Sequence, residues 1–466
     1  MERLRLLNFP EVKNVTKENK MGVMPVTKLI ITMSLPMMIS MLVQALYNVV
    51  DSIFVSQVCE DALTAVSLAF PVQNLMIGVA TGTGVGINAL LSRALGAKDF
   101  EKANKVASNG MLLAILSGLA FMLFGFVGVK IFFAGQIEQD TAIYGYGVDY
   151  LSVICIYSVG VFGQVTTERL MQATGKTTLS MFTQLTGAII NIILDPLFIL
   201  GMGPFPRLEA KGAAVATVIG QVCSFMMGLL LNKKFNREIH LSFRKFRPDG
   251  RIIAEIYKIG VPSILMVAIG SFMNFFLNRI LLSFSSTAAA VFGVYFKLQS
   301  FVFMPVFGLN NGVIPIIAYN YGAKKRDRII KAIRFSCVIA VVIMTLGTLL
   351  MWLIPEQMLK LFDASEDMMA IGVPALKTIS LSFILAAVNI NFGASFQALG
   401  RSYYSMIVSF ARQIVVLLPA AYLLSKTGVL DYVWFSFPIA EVASLAATLI
   451  CFISIYKKII RKVGTV

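Results

Sequence analysis

Two side chains inside one apolar run carry the chemistry most plainly. Asn191 and Asp195 lie four residues apart in the stretch Gly187 to Gly201, GAIINIILDPLFILG. That spacing puts both on one face of a helix. A carboxylate there is expensive, roughly 2.5–3.5 kcal/mol at the bilayer centre on insertion scales, so an acid kept in such a run marks a functional site. Pro196 follows at once; it lacks an N–H and frees the carbonyl of Ile192 as a further ligand.

Seven charged residues fall well inside apolar runs: Asp51, Asp149, Asp195, Arg279, Lys297, Arg412 and Glu441. The first half of the chain holds three acids and no base, the second three bases and one acid. Acids without basic neighbours call for protons or metal cations. Asp51, Asp195 and Thr217 each lie five or six residues from the outer end of their runs, roughly 8–9 Å in at 1.5 Å per residue. Asn191 sits one turn deeper. If those runs adjoin, Asp51, Asn191, Asp195 and Thr217 make an oxygen-rich pocket open to the outside, to which Ala213 lends a carbonyl. As a proton site, the two carboxylates titrate together. As a sodium site, the carboxylate, amide, hydroxyl and carbonyl oxygens suit a hard cation. The sequence does not choose between H+ and Na+.

Asp149, beside Tyr144, Tyr146 and Tyr150, reads as an accessory acid or a boundary residue. Glu441, Arg412 and Lys297 lie at similar mid-depth and are expected to form a buried ion-pair network, with a substrate contact by Glu441 as the sharper alternative. Arg279 is near an outer end and can snorkel. Glu168 and Arg169 at an inner end take a structural or gating role, as do Pro36, Pro262 and Pro196.

The elements that position these residues follow from composition. The chain has 466 residues, 57% hydrophobic and 14% charged, with a mean hydropathy of +0.80. Soluble domains carry about 25% charged residues, so this is an all-α integral membrane protein. Twelve spans are expected, at 28–56, 63–90, 106–129, 141–166, 178–201, 212–232, 253–283, 287–318, 335–354, 368–397, 402–425 and 429–456. Each can cross a hydrocarbon layer of about 30 Å. The first run lacks a small-residue cleavage pattern and reads as a retained span, not a signal peptide.

Alternate linkers, with their flanks and both chain ends, hold 31 of the 40 Lys and Arg. The positive-inside bias places both termini in the cytoplasm of a multi-pass protein of the plasma or inner membrane. The net charge of +16 is thus topological; anionic lipid, not nucleic acid, is the expected neighbour. The basic linker 233–252 separates an N-lobe, 28–232, from a C-lobe, 253–456; 1–27 and 457–466 are cytoplasmic segments.

The lobes are repeats. At a constant offset of 226, Pro36 matches Pro262, Asn48 Asn274, Gln73 Gln299, Gly82 Gly308, Gly86 Gly312, and Gly96-Ala97-Lys98 matches Gly322-Ala323-Lys324. Each half has six spans, so the repeats are parallel, related by an axis along the membrane normal, with a central cleft between them. Two apparent motifs fail. Gly175-Lys176-Thr177 lacks the first glycine of a phosphate loop, Leu170 standing there, and Gly78, Gly82 and Gly86 are a small-residue packing stripe. The five cysteines are scattered singly, and His240 is the only histidine. No catalytic constellation or cofactor is expected; the chain is read as a transporter and not an enzyme. Of the 24 Met and 35 Phe, those facing the cleft would form an adaptable wall for flat cations.

Several stretches together resemble the multidrug and toxic compound extrusion (MATE) family, in its bacterial DinF/MepA-like branch. They are Leu35-Pro36, Val50-Asp51-Ser52-Ile53-Phe54-Val55-Ser56, Leu95-Gly96-Ala97-Lys98, Gln172 to Thr177, Asn191 to Pro196, Gly212 to Thr217 and Pro315 to Ala323. The resemblance implies a V-shaped two-lobe exporter, working as a monomer, that exchanges external H+ or Na+ for organic cations and amphipathic drugs. It implies that Asp51, Asn191, Asp195 and Thr217 form the coupling-cation site. The branch with a second-lobe cation site uses acids in spans 7 and 8, where this chain offers only Arg279 and Lys297, so none is expected there. The alternatives are a flippase for lipid-linked saccharides and, from another class, a channel or membrane scaffold.

Overall fold

Within lipid a backbone must satisfy its own hydrogen bonds, so apolar runs bounded by basic turns close into helices. The computed structural model describes residues 18–56, 58–202, 204–241, 247–362 and 364–464, and no strand occurs among them. Among the described residues ten helices are long and apolar enough to cross a membrane, and the total is twelve when each of two further bent pairs is taken as one span.

Spans 1 to 3 are Val26–Ser56, Glu60–Gly96 and a run from Phe100 to Ala134 interrupted by a π-helical turn, Phe124–Gly128. Span 4 is broken into Ala142–Ile156 and Val159–Ala173, bent by 45°. Spans 5 to 9 are Thr177–Ile199, Ala210–Phe235, Gly250–Leu282, Ser286–Gly322 and Arg326–Leu353. Span 10 is broken into Glu366–Ser380 and Phe383–Ala398, bent by 48°. Span 11 joins Ser402–Phe410, a second π-helical stretch Ala411–Leu417, and Leu418–Ser425. Span 12 is Ser436–Lys458, preceded by a short helix, Leu430–Trp434.

The linker expected over 91–105 is mostly helix; only Ala97–Asp99 turns. Hydropathy marks the lipid-facing length, whereas a helix propagates through polar residues until something breaks it. Span 2 has 37 residues, about 55 Å at 1.5 Å each, well beyond a hydrocarbon layer of about 30 Å. Residues 57, 203, 242–246, 363 and 465–466 and the first 17 lie outside the described residues, and with them part of the basic linker.

The repeat is visible in the backbone. Lys98 and Lys324 are two of the three non-glycine residues with positive φ among the described residues, at 60° and 55°. Each closes the same turn: Ala97 and Ala323 donate to Arg93 O and Tyr319 O, Asp99 and Lys325 to Ala94 O and Asn320 O. Gly175 and Gly400, at φ 81° and 74°, likewise close matching turns, with Lys176 donating to Met171 O and Arg401 to Phe396 O. Cys59 and Ser285 cap spans 2 and 8 in the same way.

The halves meet along glycines, with span 2 against span 7 and span 8 against span 1. A Cβ on Gly82 would strike Ile264, and one on its counterpart Gly308 would strike Met38. Gly86 lies against Ile256 O and Gly312 against Ser34, whose hydroxyl donates to Leu309 O at 3.1 Å. At the ends of spans 2 and 8, Gly96 abuts Tyr319 O and Gly322 abuts Arg93 O. These reciprocal contacts describe a pseudo-twofold axis running between the halves. One buried core crosses it, including Ile30, Met33, Ile87, Leu91, Ile256 and Leu309.

The described chain ends gather on the same side as these turns. Asn19 donates to Thr174 O at 3.1 Å and to both Glu238 oxygens at 2.9 and 2.7 Å. Arg328 donates to Met21 O and Met24 O, and Asn320 to Met21 O at 3.1 Å. Residues 18–24 therefore clasp both halves.

Candidate functional site

Spans 1 and 5, and 5 and 6, pack side by side, which satisfies the condition on which the oxygen-rich pocket depended. Glycine sets the closeness of spans 5 and 6: a Cβ on Gly220 would lie 2.8 Å from Gly187 O, and one on Gly212 2.5 Å from Phe198 O. Asp195 is 0% exposed and Asn191 3%. The Asn191 amide serves both neighbours in one orientation. Its nitrogen donates to Asp195 Oδ2 at 3.2 Å, while its oxygen accepts from the Thr217 backbone N–H at 3.1 Å and hydroxyl at 3.2 Å. Ala213, one turn before Thr217, is 1% exposed.

Asp51 completes the group from span 1. Asp51 and Asp195 interact electrostatically with each other and with the phenols of Tyr47 and Tyr150. Asp51 Oδ1 is buried without a hydrogen-bond partner, an orphan acceptor that a donor or cation would satisfy. Gln73 donates to the Tyr150 hydroxyl at 3.0 Å. Among the described residues, no ion pair reaches either acid. Two carboxylates in one desolvated space cannot both stay charged cheaply.

Tyr47, Gln73 and Tyr150 were not singled out as site residues from sequence. Tyr47 carries a signal, since it precedes Asp51 by one helical turn. Of the two readings of Asp149, the structure favours the boundary residue. Its side chain is 58% exposed and lies 3.9 Å from the Lys211 ammonium, so it is outside the pocket. Successive helix residues diverge by about 100°, and Tyr150, only 4% exposed, holds the inward position.

Glu168 and Arg169 are both buried, yet neither bonds the other. Gln164 and Gln184 donate to Glu168 at 3.0 and 2.9 Å. Arg169 donates to Gln172 at 2.9 Å and, across to span 8, to Asn311 at 2.8 Å. It thereby ties the first half to the second.

In the second half, Arg412 is hydrogen-bonded to Glu441 Oε1, and Asn389 donates to Glu441 Oε2 at 2.7 Å. Lys297 does not join them. It is exposed, with its ammonium 5.9 Å from the Phe362 ring centroid. The expected three-member network is thus a pair, because Lys297 faces away from spans 11 and 12. Arg279 is also exposed, over the Phe275 ring. Beside the pair lies a cavity of about 530 Å³ between spans 2, 7, 8, 10, 11 and 12. Phe296, Phe303, Phe307 and Phe396, Met266 and Met304 line it, with Arg412 at its wall.

The comparisons with known proteins agree with this architecture. The MatE family model matches twice, at residues 36–197 and 262–423, so that both starts and both ends lie 226 apart. The multidrug export protein MepA of Staphylococcus aureus (strain MSSA476) is 30% identical over 442 residues, covering 92% of this chain and 94% of its own length. MepA of Staphylococcus haemolyticus (strain JCSC1435) is 28% identical over 413 residues, 88% and 89% of the two chains. An outward-facing multidrug resistance MATE family transporter of the MOP superfamily superposes with a TM-score of 0.89 at 26% identity, over 97% of this chain and 100% of that one. A MOP superfamily transporter from Pyrococcus furiosus Vc1 gives 0.88 at 26% identity, over 96% and 100%. With two matched repeats over most of a chain of helical spans, the chain belongs to the MatE family of multi-pass membrane transporters.

Proposed function

We propose that the protein is a secondary active exporter that moves organic cations and amphipathic drugs outward in exchange for H+ or Na+. The observation that carries this reading is the acid pair Asp51 and Asp195, with which no basic side chain among the described residues forms an ion pair. Asn191, Thr217 and the Ala213 carbonyl complete its oxygen set. Residues 28–232 and 253–456 act as the two lobes, joined by the basic linker 233–252, and a single chain supplies both. The basic turns and both termini face the cytoplasm, on which side the glycine contacts close the lobes together. The structure then corresponds to the outward-facing state. Uptake of the external ion at Asp51 and Asp195 alters the packing of spans 1, 5 and 6 and releases the drug. Pro36, Pro196 and Pro262, each inside a helix, supply points where those helices bend. A flippase for pyrophosphate-linked saccharides is less favoured, because Glu441 already neutralises Arg412.

Cationic-dye transport in everted vesicles, with proton and sodium gradients imposed separately, tests export and identifies the coupling ion. Asp195→Asn is expected to abolish gradient-driven efflux at unchanged expression. Wild-type efflux in that variant would sink the assignment.

A further inference from the structure

The matching turns build two grooves, one on each side of the pseudo-twofold axis, and among the described residues the chain fills one of them. That groove lies against Gly175 and Tyr319. A Cβ on Gly175 would meet Lys20, Met21 and Asn19, and one on Gly22 would meet the Tyr319 ring. Oxygens of the inserted segment satisfy the bases around it. Arg328 donates to Met21 O and Met24 O at 3.0 and 2.7 Å. Lys325 donates to Gly22 O at 2.9 Å and to Glu18 Oε1 at 3.1 Å.

The repeat carries Tyr319, Lys325 and Arg328 onto Arg93, Asp99 and Lys102 at its offset of 226, and Gly175 onto Gly400. Those four counterparts line the second groove, a cavity of about 480 Å³ between the clasp-side ends of spans 2, 3, 7 and 8 and the turn after span 10. A Cβ on Gly400 would meet only Ile259, at 3.8 Å. Four cations line the cavity, Arg93 and Lys102 from the first half and Lys258 and Arg401 from the second, against two acids, Asp99 and Glu255. Both acids are engaged. Asp99 caps span 3 by accepting from the Lys102 backbone N–H at 2.9 Å, and Glu255 of span 7 pairs with the Lys102 ammonium at 2.7 Å. Among the described residues, no ion pair or hydrogen bond reaches the charged ends of Arg93, Lys258 or Arg401. Arg93 sits over the Tyr321 ring, 4.7 Å from its centroid, which leaves its N–H donors unspent. Closing the halves thus gathers like charge from both into one space, at a cost in energy that an anion would remove.

We propose that this second groove binds a phosphate anion from the cytoplasmic side and that the anion holds the two halves closed there. The planar forks of Arg93 and Arg401 suit phosphate oxygens, and Lys102 and Lys258 add point charges. A phosphomonoester brings close to two negative charges to the three unpaired cations, where a carboxylate brings one. Leu90, Ile259 and Leu399 give the rest of the ligand an apolar wall, and the volume is within the range of small-molecule sites. The phosphate is carried by a soluble ester or by the headgroup of an inner-leaflet lipid, and the recognition chemistry is the same. A ligand that touches both halves binds the closed face alone, so it multiplies the closed population by 1 + [L]/Kd. The site stands on its own geometry. Its control of the seam rests on the exporter reading, in which that face opens in every cycle.

The test uses the full-length protein in phosphatidylcholine nanodiscs at about 0.15 M salt, where loose attraction is screened. Inorganic pyrophosphate is titrated by calorimetry. Wild type is expected to bind it about 10-fold or more tighter than Arg93→Gln/Arg401→Gln, as charge-assisted contacts require. Lys331→Gln/Lys457→Gln removes two exposed charges outside the cavity lining and is expected to bind as wild type does. Equal weakening in the two double variants, or no binding by wild type, overturns the site. The seam is read by maleimide labelling of Ser34→Cys, buried between spans 1 and 8, in a background without the five native cysteines. At ten times its Kd, pyrophosphate is expected to slow labelling about 10-fold, and to lose that effect in Arg93→Gln/Arg401→Gln. If phosphatidic acid in the nanodisc slows labelling without pyrophosphate, and does so through Arg93 and Arg401, the occupant is a lipid headgroup; if only pyrophosphate slows it, the occupant is soluble. Pyrophosphate binding with labelling unchanged overturns the control of the seam. Dye export by wild type in everted vesicles is measured apart. Export without pyrophosphate binding refutes the site alone, and absence of export refutes the exporter reading while the calorimetry still judges the site.

Discussion

Replacing Gly96 by alanine should open the face of the molecule that carries the chain ends. A Cβ at Gly96 would stand 1.9 Å from Tyr319 O, and one at Gly322 2.0 Å from Arg93 O, where real Cβ atoms essentially never come within 3.0 Å. Both obstacles are helical backbone, which cannot rotate aside as a side chain can. Spans 2 and 8 must separate by about 1 Å, and overpacking of this kind costs about 1–3 kcal/mol. Alanine also gains roughly 0.5–1 kcal/mol of helix propensity over glycine, but equally in every state in which span 2 is helical. The clash exists only while the halves are closed. The substitution therefore leaves the fold intact and shifts the population toward the open face by a factor of about 5–150.

Ser34 reports that shift. It is 1% exposed and lies between spans 1 and 8 against Gly312. In a background without the five native cysteines, maleimide labelling of Ser34→Cys should accelerate by a similar factor when Gly96→Ala is added. Dye export should fall, because the cycle must return through the closed face. Gly145, with nothing within 4 Å of a built Cβ, supplies the control substitution. Labelling and export both within two-fold of that control would show that these glycines do not hold the closed state.

Two further outcomes are expected. Tyr150→Phe loses the hydrogen bond from Gln73 at 3.0 Å, typically about 1 kcal/mol; gradient-driven efflux should drop several-fold while thermal stability changes little, and unchanged efflux would remove Tyr150 from the site. At the clasp, burial holds the Glu238 carboxyl above its usual range against the opposing pull of Asn19, Lys176 and Lys20. The docked state then keeps its proton to higher pH than the free chain, so the added docking is fully present below the free value near 4.5 and fades as pH rises through the raised one. Lys20, its pKa lowered mainly by burial, acts in a separate window below 10.5. Hydrogen-exchange protection of residues 19–24, corrected for intrinsic rates, should decline as pH rises above the free carboxylate value near 4.5; Glu238→Gln should abolish that dependence, and its persistence would assign it elsewhere.

Span number was legible because lipid leaves a chain few options, and twelve apolar runs became twelve helical spans. Span ends were not, because Gly96 and Gly322 continue helices far past the apolar residues and only the αL residues Lys98 and Lys324 stop them. The Asn191 and Asp195 pairing was legible because four-residue spacing fixes a shared face without knowledge of the neighbours. Asp149 stood between two readings for the converse reason. Which of two adjacent residues faces inward depends on the rotation of span 4, set by packing and by the break near Ser158, whose hydroxyl bonds Gly118 O at 2.9 Å. Lys297 shared its depth with Glu441 and Arg412 but not its azimuth, and depth alone cannot supply azimuth. The glycine stripe announced close packing, but its partner in span 7 lies across the pseudo-twofold axis, 170 residues on from Gly86 at Ile256.

The two halves share a scaffold and divide the chemistry. Matching turns, matching breaks in spans 4 and 10, and reciprocal glycine contacts give them the same backbone, so either could have carried either kind of site. The side chains differ where spans 5 and 6 correspond to spans 11 and 12. In the first half these helices hold a buried acid beside an amide and a hydroxyl, with a second acid on span 1 and no base. In the second they hold a self-neutralised arginine and glutamate beside a wide aromatic cavity. A site that must lose or gain an ion needs uncompensated charge, and a site that must accept bulky molecules needs volume and balanced charge. Those demands conflict within one pocket. On the exporter reading, duplication followed by divergence of the intramembrane charges separates them, and the glycine seam, the Arg169–Asn311 bond and the clasp of residues 18–24 are the links through which a change at Asp195 would reach the second half.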